Sequence, residues 1–333
     1  MKILHVNNIA DVGNTLVHIQ KRHGIDASLI SVMPPALGNS LLKKIMTIPL
    51  RLKLAWQARQ KIKQIKPDWV HIHYITSAIW FLGCGAKLAL HAHGTDIRHA
   101  KNSLIKRILL KLVIARADLL LYATPDLQSH VEYFSSQAEY LPNPIDTNNY
   151  YSDVAKPNLP QLKVLWLAMP SAIKGIDTVL PAIDQLSQRY PSVRFSVLKN
   201  AQSVQYYQQH TQSAQIQLIE PVAQHQVKGL IEAHDVIIGQ TFLGALGMSE
   251  LQAMSCQRIV LCNNLYGANF AYAAEFFNCA TTEQLCNNFS AFLTRSEPEL
   301  QQRAQAARQW VATHHSHDAV HQALYTLYTK SFV

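Results

Sequence analysis

The chain has 333 residues, of which 48% are hydrophobic and 15% are charged, a composition that excludes disordered and fibrous proteins. This length is too great for one ordinary hydrophobic core and suits two α/β domains. The formal net charge is +9, and the excess lies in residues 1–150, which hold 18 of the 30 Lys and Arg but only 9 of the 21 Asp and Glu.

The first half of the chain alternates short apolar runs with amphipathic stretches. Buried parallel strands are predicted at residues 2–8, 25–32, 68–75, 87–94 and 118–125. Helices are predicted at residues 11–24, 49–66 and 103–117. Strands that alternate with helices indicate a parallel sheet covered on both faces.

A linker is predicted at residues 140–162, which hold four prolines and four asparagines. Beyond it the alternation restarts, with predicted strands at 163–169, 194–199, 216–221, 235–240 and 258–262. Helices are predicted at 175–190, 224–234 and 248–256, followed by a helical tail with a polar break at 298–330. Two such domains create a cleft lined by strand ends and helix N-termini, which suits a phosphate-bearing ligand.

Two stretches of the first half contain basic residues but no acidic ones. Residues 43–66 carry eight Lys and Arg, and residues 98–116 carry six, with Leu, Ile and Trp56 between the charges. Such stretches favour contact with an anionic membrane surface, and amphipathic helices with solvated charges are the alternative. Nucleic acid is a rival anion, but no groove-reading or base-stacking motif accompanies the charge, so we expect no nucleic-acid partner.

The cellular location is predicted from cysteines and apolar runs. The five cysteines are odd in number and lack metal-ligand spacing, which favours reduced thiols in a cytosolic protein. The N-terminus turns polar after six residues, so we expect no signal peptide, and the most apolar run, residues 77–86, is too short to span a bilayer. We therefore expect a cytoplasmic protein, peripheral on the inner face of the membrane.

Residues 91–98, HAHGTDIR, place polar side chains at the end of a predicted buried strand. In an open parallel sheet the carboxyl ends of strands are where ligands bind. The histidines at 71, 73, 91 and 93 alternate on two strands, so each pair shares a strand face and a zinc site is one interpretation. No cysteine or carboxylate completes that site, and we expect no metal.

Six motifs, taken in order, resemble the retaining glycosyltransferases of family 4, which have the GT-B fold. They are KPDWVHIHY (66–74), HAHGTD (91–96), ARADLLLYATPDL (115–127), YLPNPID (140–146), KVLWLAMPSAIKGIDTVLPAI (163–183) and GLIEAHDVIIGQTFLGALGMSELQAMSCQRIVL (229–261). Each motif alone is weak, but the ordered set spans nearly the whole chain.

The resemblance implies an α/β fold of two Rossmann-like domains that face each other across a cleft. It implies a basic, acceptor-binding domain at residues 1–150 and a nucleotide-sugar-binding domain at 151–315. A C-terminal helix at 316–333 is expected to cross back toward the first domain.

The resemblance also assigns roles to individual residues. His93 and Asp96 become the catalytic candidates: His93 faces the donor sugar, and Asp96 orients its loop or meets a sugar hydroxyl. Lys174 meets the diphosphate of the leaving group, and the absence of any Asp-x-Asp implies that neither metal nor cofactor is needed. The implied donor-binding set is Gly13, Asn14, Asn143, Lys174, Gln240, Gly244, Gly247, Met248, Glu250 and Gln252.

The chain departs from the family pattern in the second half. The usual phosphate-binding Arg falls on Met169, and the usual pair of glutamates falls on Gly244 and Gln252. A subgroup without the first glutamate has a pattern that Gln240, Gly244 and Gly247 fit. The Gln252 amide can bond a ribose hydroxyl, but without the strength of a charged partner.

The expected activity is transfer of a sugar from a UDP-sugar to a glycan or lipid-linked acceptor in bacterial surface polysaccharide assembly, such as lipopolysaccharide or capsule. The alternative, motivated by Met169 and Gln252, is a non-catalytic or partner-dependent GT-B subunit that binds nucleotide sugar or glycan without turnover. A sugar-nucleotide epimerase of the same fold would need cleft carboxylates, which the sequence does not supply.

Overall fold

The computed structural model describes residues 1–33, 47–98, 100–153, 161–210, 213–266 and 274–330. The chain divides into two compact units. Unit 1 comprises residues 1–144 together with 317–333, and unit 2 comprises residues 145–316. The predicted α/β class is confirmed, because each unit contains a parallel sheet. Lys43 and Lys44 of the first basic stretch lie outside the described residues.

Unit 1 contains a six-stranded sheet in the order β2-β1-β3-β4-β5-β6. Its strands are β1 (Lys2–Val6), β2 (Asp26–Ile30), β3 (Trp69–His73), β4 (Lys87–Ala92), β5 (Leu119–Tyr122) and β6 (Ala138–Tyr140). Its helices are α1 (Val12–Arg22), α2 (Ile48–Ile65), α3 (Leu104–Ile114), α4 (Gln128–Glu132) and α11 (His317–Lys330). The sequence does not predict β6, which has only three residues and is largely exposed.

Unit 2 contains a five-stranded sheet in the order β11-β10-β7-β8-β9. Its strands are β7 (Lys163–Trp166), β8 (Arg194–Leu198), β9 (Ile216–Ile219), β10 (Val236–Ile238) and β11 (Ile259–Leu261). Its helices are α5 (Ile176–Arg189), α6 (Ala201–Gln209), α7 (Val227–Glu232), α8 (Met248–Ser255), α9 (Thr282–Leu293) and α10 (Glu297–His315). Helix α6 was not predicted, because most of its residues are polar.

Side chains alternate between the two faces of the unit 1 sheet, and each face has its own helices. One face, with Leu4, Val70 and Leu90, packs against α2 and α3. The other face, with Ile3 and Trp69, packs against α1 and α11. Helix α11 therefore completes the core of unit 1, although the chain passes through all of unit 2 before reaching it.

The four histidines of β1, β3 and β4 lie on the face that α1 and α11 cover. The parallel register places His5 beside His71 and His73 beside His91. All four are buried, so polar rings fill the carboxyl-terminal half of a face whose other half is apolar. Among the described residues, no helix is both long enough and apolar enough to cross a membrane.

Candidate functional site

Asp96 ties together the loops that follow two neighbouring strands of unit 1. Its side chain is buried, and its Oδ1 accepts hydrogen bonds from the backbone N–H groups of Gly94 (2.8 Å) and His93 (3.2 Å). Its Oδ2 accepts from the N–H of Ile75 (3.0 Å), in the loop after β3. Burial raises the pKa of Asp96, and the backbone donors oppose that shift. The resemblance implied that Asp96 either orients its loop or meets a sugar hydroxyl. These contacts correspond to the first role, and the second stays a prediction.

His93 lies at the end of a line of hydrogen-bonded side chains. Its Nε2 is 2.9 Å from His73 Nδ1, and His73 Nε2 is 3.0 Å from His5 Nδ1. His5 Nε2 is in turn 2.9 Å from Oε1 of Gln20, a buried residue of α1. Burial lowers the pKa of both His5 and His93 to about 4, so both rings are neutral near pH 7. We call this line, from Gln20 to His93, the first histidine line.

A second histidine line runs from α11 to β4. The Tyr328 hydroxyl is 2.5 Å from His71 Nδ1, and His71 Nε2 is 3.2 Å from His91 Nδ1. His91 Nε2 is buried and has no hydrogen-bond partner among the described residues. Burial and the neighbouring histidines lower the pKa of His71, His73 and His91 well below the ordinary value of 6.5.

The histidines also meet the distance requirement for a metal site. The nitrogens of His73, His91 and His93 lie within 4.8 Å of one another, as do those of His5, His71 and His73. However, the facing nitrogens of His73 and His93 are 2.9 Å apart, which is hydrogen-bond distance. That the site needs no metal remains a prediction.

Gly13 and Asn14 lie in the first turn of α1, against the end of β1. A Cβ atom at Gly13 would lie 2.6 Å from the carbonyl oxygen of Asn7, so only glycine fits there. The Asn14 backbone N–H donates to Asn8 Oδ1 (3.1 Å), and its side-chain amide donates to Asp11 Oδ1 (2.8 Å). Both residues therefore shape this turn, and their contact with a ligand stays a prediction.

Arg98 does not belong to the basic surface that the sequence suggested. Its guanidinium donates through Nε (3.0 Å) and Nη2 (2.6 Å) to Asp126 Oδ2, and both side chains are largely buried. This corrects the second basic stretch, because its first charge is neutralised inside unit 1.

Lys174 of unit 2 precedes α5 and lies beside the glycine-rich loop between β10 and α8. Its Nζ donates to Gln240 Oε1 at 3.1 Å, and the Gln240 amide nitrogen donates to the carbonyl oxygen of Ala245. A Cβ atom at Gly247, the residue that caps α8, would lie 3.8 Å from Lys174 Nζ. The ammonium group therefore lies next to a helix N-terminus, a combination that attracts anions.

The segment after Lys174 packs tightly against the same loop. Gly175 has φ +85°, and a Cβ atom there would overlap the hydroxyl of Thr241. That hydroxyl is buried and has no hydrogen-bond partner among the described residues. Gly244 also has positive φ, and its carbonyl oxygen accepts from the N–H of Leu265 (2.8 Å).

Glu250 holds the glycine-rich loop closed from within α8. Its buried carboxylate accepts from the backbone N–H of Gln240 (2.7 Å) through Oε1 and from that of Gly247 (2.9 Å) through Oε2. Glu250 is the third residue of the helix, and its side chain caps the first turn. Glu250 therefore sets the shape of the loop, and direct donor contact by it stays a prediction.

Gln252 and Met169 occupy the positions at which the chain departs from the family. Gln252 is only 5% exposed and lies within α8. Met169 is 45% exposed after the end of β7. Met248 is half-buried and packs against the core beneath the loop.

The predicted residues are divided between the two units. His93, Asp96, Gly13, Asn14 and the buried Asn143 belong to unit 1, whereas Lys174, Gln240, Gly244, Gly247, Met248, Glu250 and Gln252 belong to unit 2. Sequence reasoning missed Gln20, Thr241 and Tyr328, all buried polar side chains at the candidate sites. Only their proximity in space identifies these three residues. Gln20 and Tyr328 have no characteristic spacing from a motif glycine or histidine, whereas Thr241 directly follows Gln240.

Residues 36–149 match the profile of Glycosyltransferase Family 4. A search of curated proteins found no sequence match. The match covers most of unit 1 and none of the residues of α11.

Solved structures resemble the chain over its full length at low sequence identity. Sucrose-phosphate synthase from Thermosynechococcus elongatus has a TM-score of 0.78 at 13% identity, covering 100% of this chain and 99% of that one. HepE from Anabaena, in complex with UDP and glucose, has a TM-score of 0.70 at 16% identity, with 99% of both chains covered. The catalytic domain of starch synthase IV from Arabidopsis thaliana, bound to ADP and acarbose, has a TM-score of 0.70 at 13% identity, with 99% of both chains covered. At these identities the likeness establishes the fold.

Proposed function

Since the chain has the GT-B fold and its residues 36–149 belong to Glycosyltransferase Family 4, we propose that it transfers a sugar from a UDP-sugar to a glycan or lipid-linked acceptor. The reaction proceeds with retention and without a metal ion, in the assembly of a bacterial surface polysaccharide. Use of UDP is supported by analogy with HepE, whose structure contains UDP and glucose.

The observation that carries this proposal is the position of Lys174. Its ammonium is held by Gln240 beside the glycine cap of α8, so a cation and a helix N-terminus converge on one place. A nucleoside diphosphate develops negative charge as it leaves, and a preorganised cation stabilises that charge. The buried amide of Gln252 and the hydroxyl of Thr241, which has no partner among the described residues, are further polar groups for the nucleotide.

In unit 1, His93 supplies a neutral imidazole for a sugar hydroxyl. Its pKa of about 4 keeps it uncharged at physiological pH, so it contributes a hydrogen bond without a charge. Asp96 holds the His93 backbone and positions the ring indirectly. We assign catalytic contact to His93 and a positioning role to Asp96.

The proposal is tested with the purified chain and a panel of nucleotides and nucleotide sugars. Binding of UDP or a UDP-sugar should raise the melting temperature, since a ligand at 100 times its Kd stabilises by about 2.7 kcal/mol. Transfer to an acceptor should follow, insensitive to EDTA, with the anomeric configuration of the donor retained. No stabilisation by any nucleotide or nucleotide sugar would contradict the proposal.

The second candidate function is a GT-B subunit that binds a nucleotide sugar or glycan without turnover. It is favoured by Met169, an exposed thioether at the position where the family has a phosphate-binding Arg. The same panel separates the two functions. Binding without transfer, unless a partner protein is added, would support the second one.

We also propose that unit 1 contacts an anionic membrane through α2 and α3, which would bring a lipid-linked acceptor to the protein. Helix α3 exposes four apolar side chains, which fall within an arc of about 100° of its circumference; Ile105 is 80% exposed. Helix α2 exposes a second apolar row that ends in Trp56, which is 62% exposed. Exposed basic residues flank both rows, as expected for a face that lies on anionic lipid. The exposed apolar residues of the two helices are Ile48, Leu50, Leu52, Trp56, Leu104, Ile105, Ile108 and Leu112.

Acidic substitutions in the exposed apolar row of α3 test this surface. The chain should sediment with vesicles containing phosphatidylglycerol at low salt and less so at high salt, because salt screens the lysines and arginines. The double variant Ile105→Glu, Ile108→Glu should bind at least about 30-fold less, since each buried aliphatic side chain contributes on the order of 1 kcal/mol or more and 1.4 kcal/mol corresponds to about tenfold. Val222→Glu, on the exposed surface of unit 2, is the control and should bind normally. Absence from anionic vesicles at every salt concentration would contradict the membrane proposal.

A further inference from the structure

Gln20 anchors the first histidine line from α1. Its Oε1 is 2.9 Å from His5 Nε2, and His5 Nδ1 is in turn 3.0 Å from His73 Nε2. Gln20, His5 and His73 are all buried. The amide oxygen can only accept a hydrogen bond, so it determines which nitrogen of His5 carries the proton.

The direction of each hydrogen bond in the first line follows from Gln20 alone. A neutral imidazole has one N–H and one lone pair, so a ring that donates from one nitrogen must accept at the other. His5 must donate from Nε2 to the Gln20 carbonyl, which leaves Nδ1 to accept from His73 Nε2. His73 Nδ1 then accepts from His93 Nε2.

The second line is separate from the first. It joins Tyr328 to His71 and His91, and among the described residues no hydrogen bond links Gln20 to Tyr328. Its proton positions are therefore not set by Gln20.

We propose that Gln20 is a positioning residue that fixes His5, His73 and His93 as Nε2–H tautomers, so that His93 presents only a lone pair, on Nδ1, to a ligand. His93 is half-buried, and its ring hydrogen bond within the described residues is made through Nε2, which leaves Nδ1 to meet a ligand. A ligand group that meets this nitrogen must donate a hydrogen bond. A hydroxyl or an amide N–H is accepted, and an ether or carbonyl oxygen is rejected.

The arrangement resists reversal because the rings are buried and neutral. If the His5 proton moved from Nε2 to Nδ1, the Nε2 lone pair would face the Gln20 carbonyl oxygen, and two buried acceptors would be left without a donor. Buried polar groups without partners are strongly disfavoured. Adding a second proton is opposed by the same burial that lowers the pKa of each histidine. The inference deepens the proposed function by naming the kind of group that His93 recognises.

The tautomers are measured by NMR on protein with 15N-labelled histidine, from two-bond 1H–15N correlations in which the protonated and unprotonated nitrogens have well-separated shifts. For the unliganded wild type near pH 7, we expect the Nε2–H pattern for His5, His73 and His93. An Nδ1–H pattern for His93 would overturn the proposal. The proposal would also be overturned if stoichiometric zinc, added to EDTA-treated protein, replaced the Nε2–H signals with those of metal-bound histidine.

Three substitutions test the anchor. Gln20→Leu removes the acceptor for His5 and should give His93 a mixture of tautomers. Gln20→Glu keeps an acceptor for His5, so His93 should keep its tautomer. Tyr328→Phe alters only the second line and is the control, in which His93 should be unchanged. Unchanged tautomers in folded Gln20→Leu protein would overturn the proposal, and if that variant does not fold, a changed His93 tautomer in Gln20→Glu would do so. No substrate enters these measurements, so their failure is distinguishable from failure of the proposed function.

Discussion

Replacing Lys174 with alanine is expected to lower kcat/KM for sugar transfer by about 10²- to 10³-fold, the range found when a preorganised group that stabilises developing charge is removed. The reason is local: Lys174 Nζ is fixed by Gln240 at 3.1 Å beside the cap of α8. Met169 offers no second cation at the position where the family has an Arg. Most of the loss should appear in kcat, because charge on the diphosphate grows as the sugar leaves.

Two further variants sharpen this experiment. Lys174→Arg should restore part of the activity, since it keeps a cation with different geometry. Lys228→Ala is the matched control, because Lys228 forms a surface ion pair with Glu232 in the same unit, and its removal should leave kinetics unchanged. Steady-state kinetics with a UDP-sugar provide the readout. Equal activity of Lys174→Ala and Lys228→Ala would exclude Lys174 from the phosphate site.

Acidification from pH 7 to pH 5 is expected to destabilise unit 1 by about 3–4 kcal/mol through His5 and His93 alone, from the linkage between pKa and stability. Burial lowers the pKa of both from 6.5 to about 4 in the folded chain. Between those values the unfolded chain binds more protons than the folded chain, so stability falls as the pH falls. His71, His73 and His91 act in the same direction, because their pKa values are lowered as well.

Hydrogen exchange of the amides in β1, β3 and β4, measured at pH 7, 6 and 5 and corrected for the intrinsic rate, reports this loss in unit 1 specifically. The amides of β7 and β8 in unit 2 provide an internal comparison and should lose less protection, since burial lowers the pKa of His234, beside Ser196 of β8, in that unit, against the five histidines of the two lines in unit 1. His225→Gln, an exposed histidine of unit 2, should leave the pH dependence unchanged. Protection of β1 that does not change between pH 7 and pH 5 would contradict the prediction.

The sequence predicted the parallel sheets because buried parallel strands are continuous apolar runs, and both cores follow that rule. It did not predict β6 or α6, since a three-residue edge strand and a polar helix carry little hydrophobic signal. The resemblance to family 4 and the α/β fold are confirmed. The assignment of individual residues to catalysis stays a prediction.

The histidine lines show where sequence reasoning stops. The alternation of His71 with His73 and of His91 with His93 is visible in the sequence and places each pair on one strand face. The contact between His73 and His91 depends on strand register, which periodicity does not fix. Gln20 and Tyr328, which lie at hydrogen-bond distance from His5 and His71, come from helices at opposite ends of the chain, so no spacing could associate them with the histidines. Asp96 was identified by its motif, but its bonds to three backbone N–H groups depend on the path of two loops.

Helix α11 also has a consequence for protein synthesis. Unit 1 packs one face of its sheet against Val320, Leu324 and Tyr328, which a ribosome adds only after all of unit 2. At 5–20 residues per second, the nascent first unit would wait roughly 10–30 s with that face incompletely covered. The apolar side chains of that face and the ring of His71 are exposed to chaperones and to other nascent chains throughout that interval. All of unit 2 is translated within the interval, so the unit that is translated first is the one that is completed last.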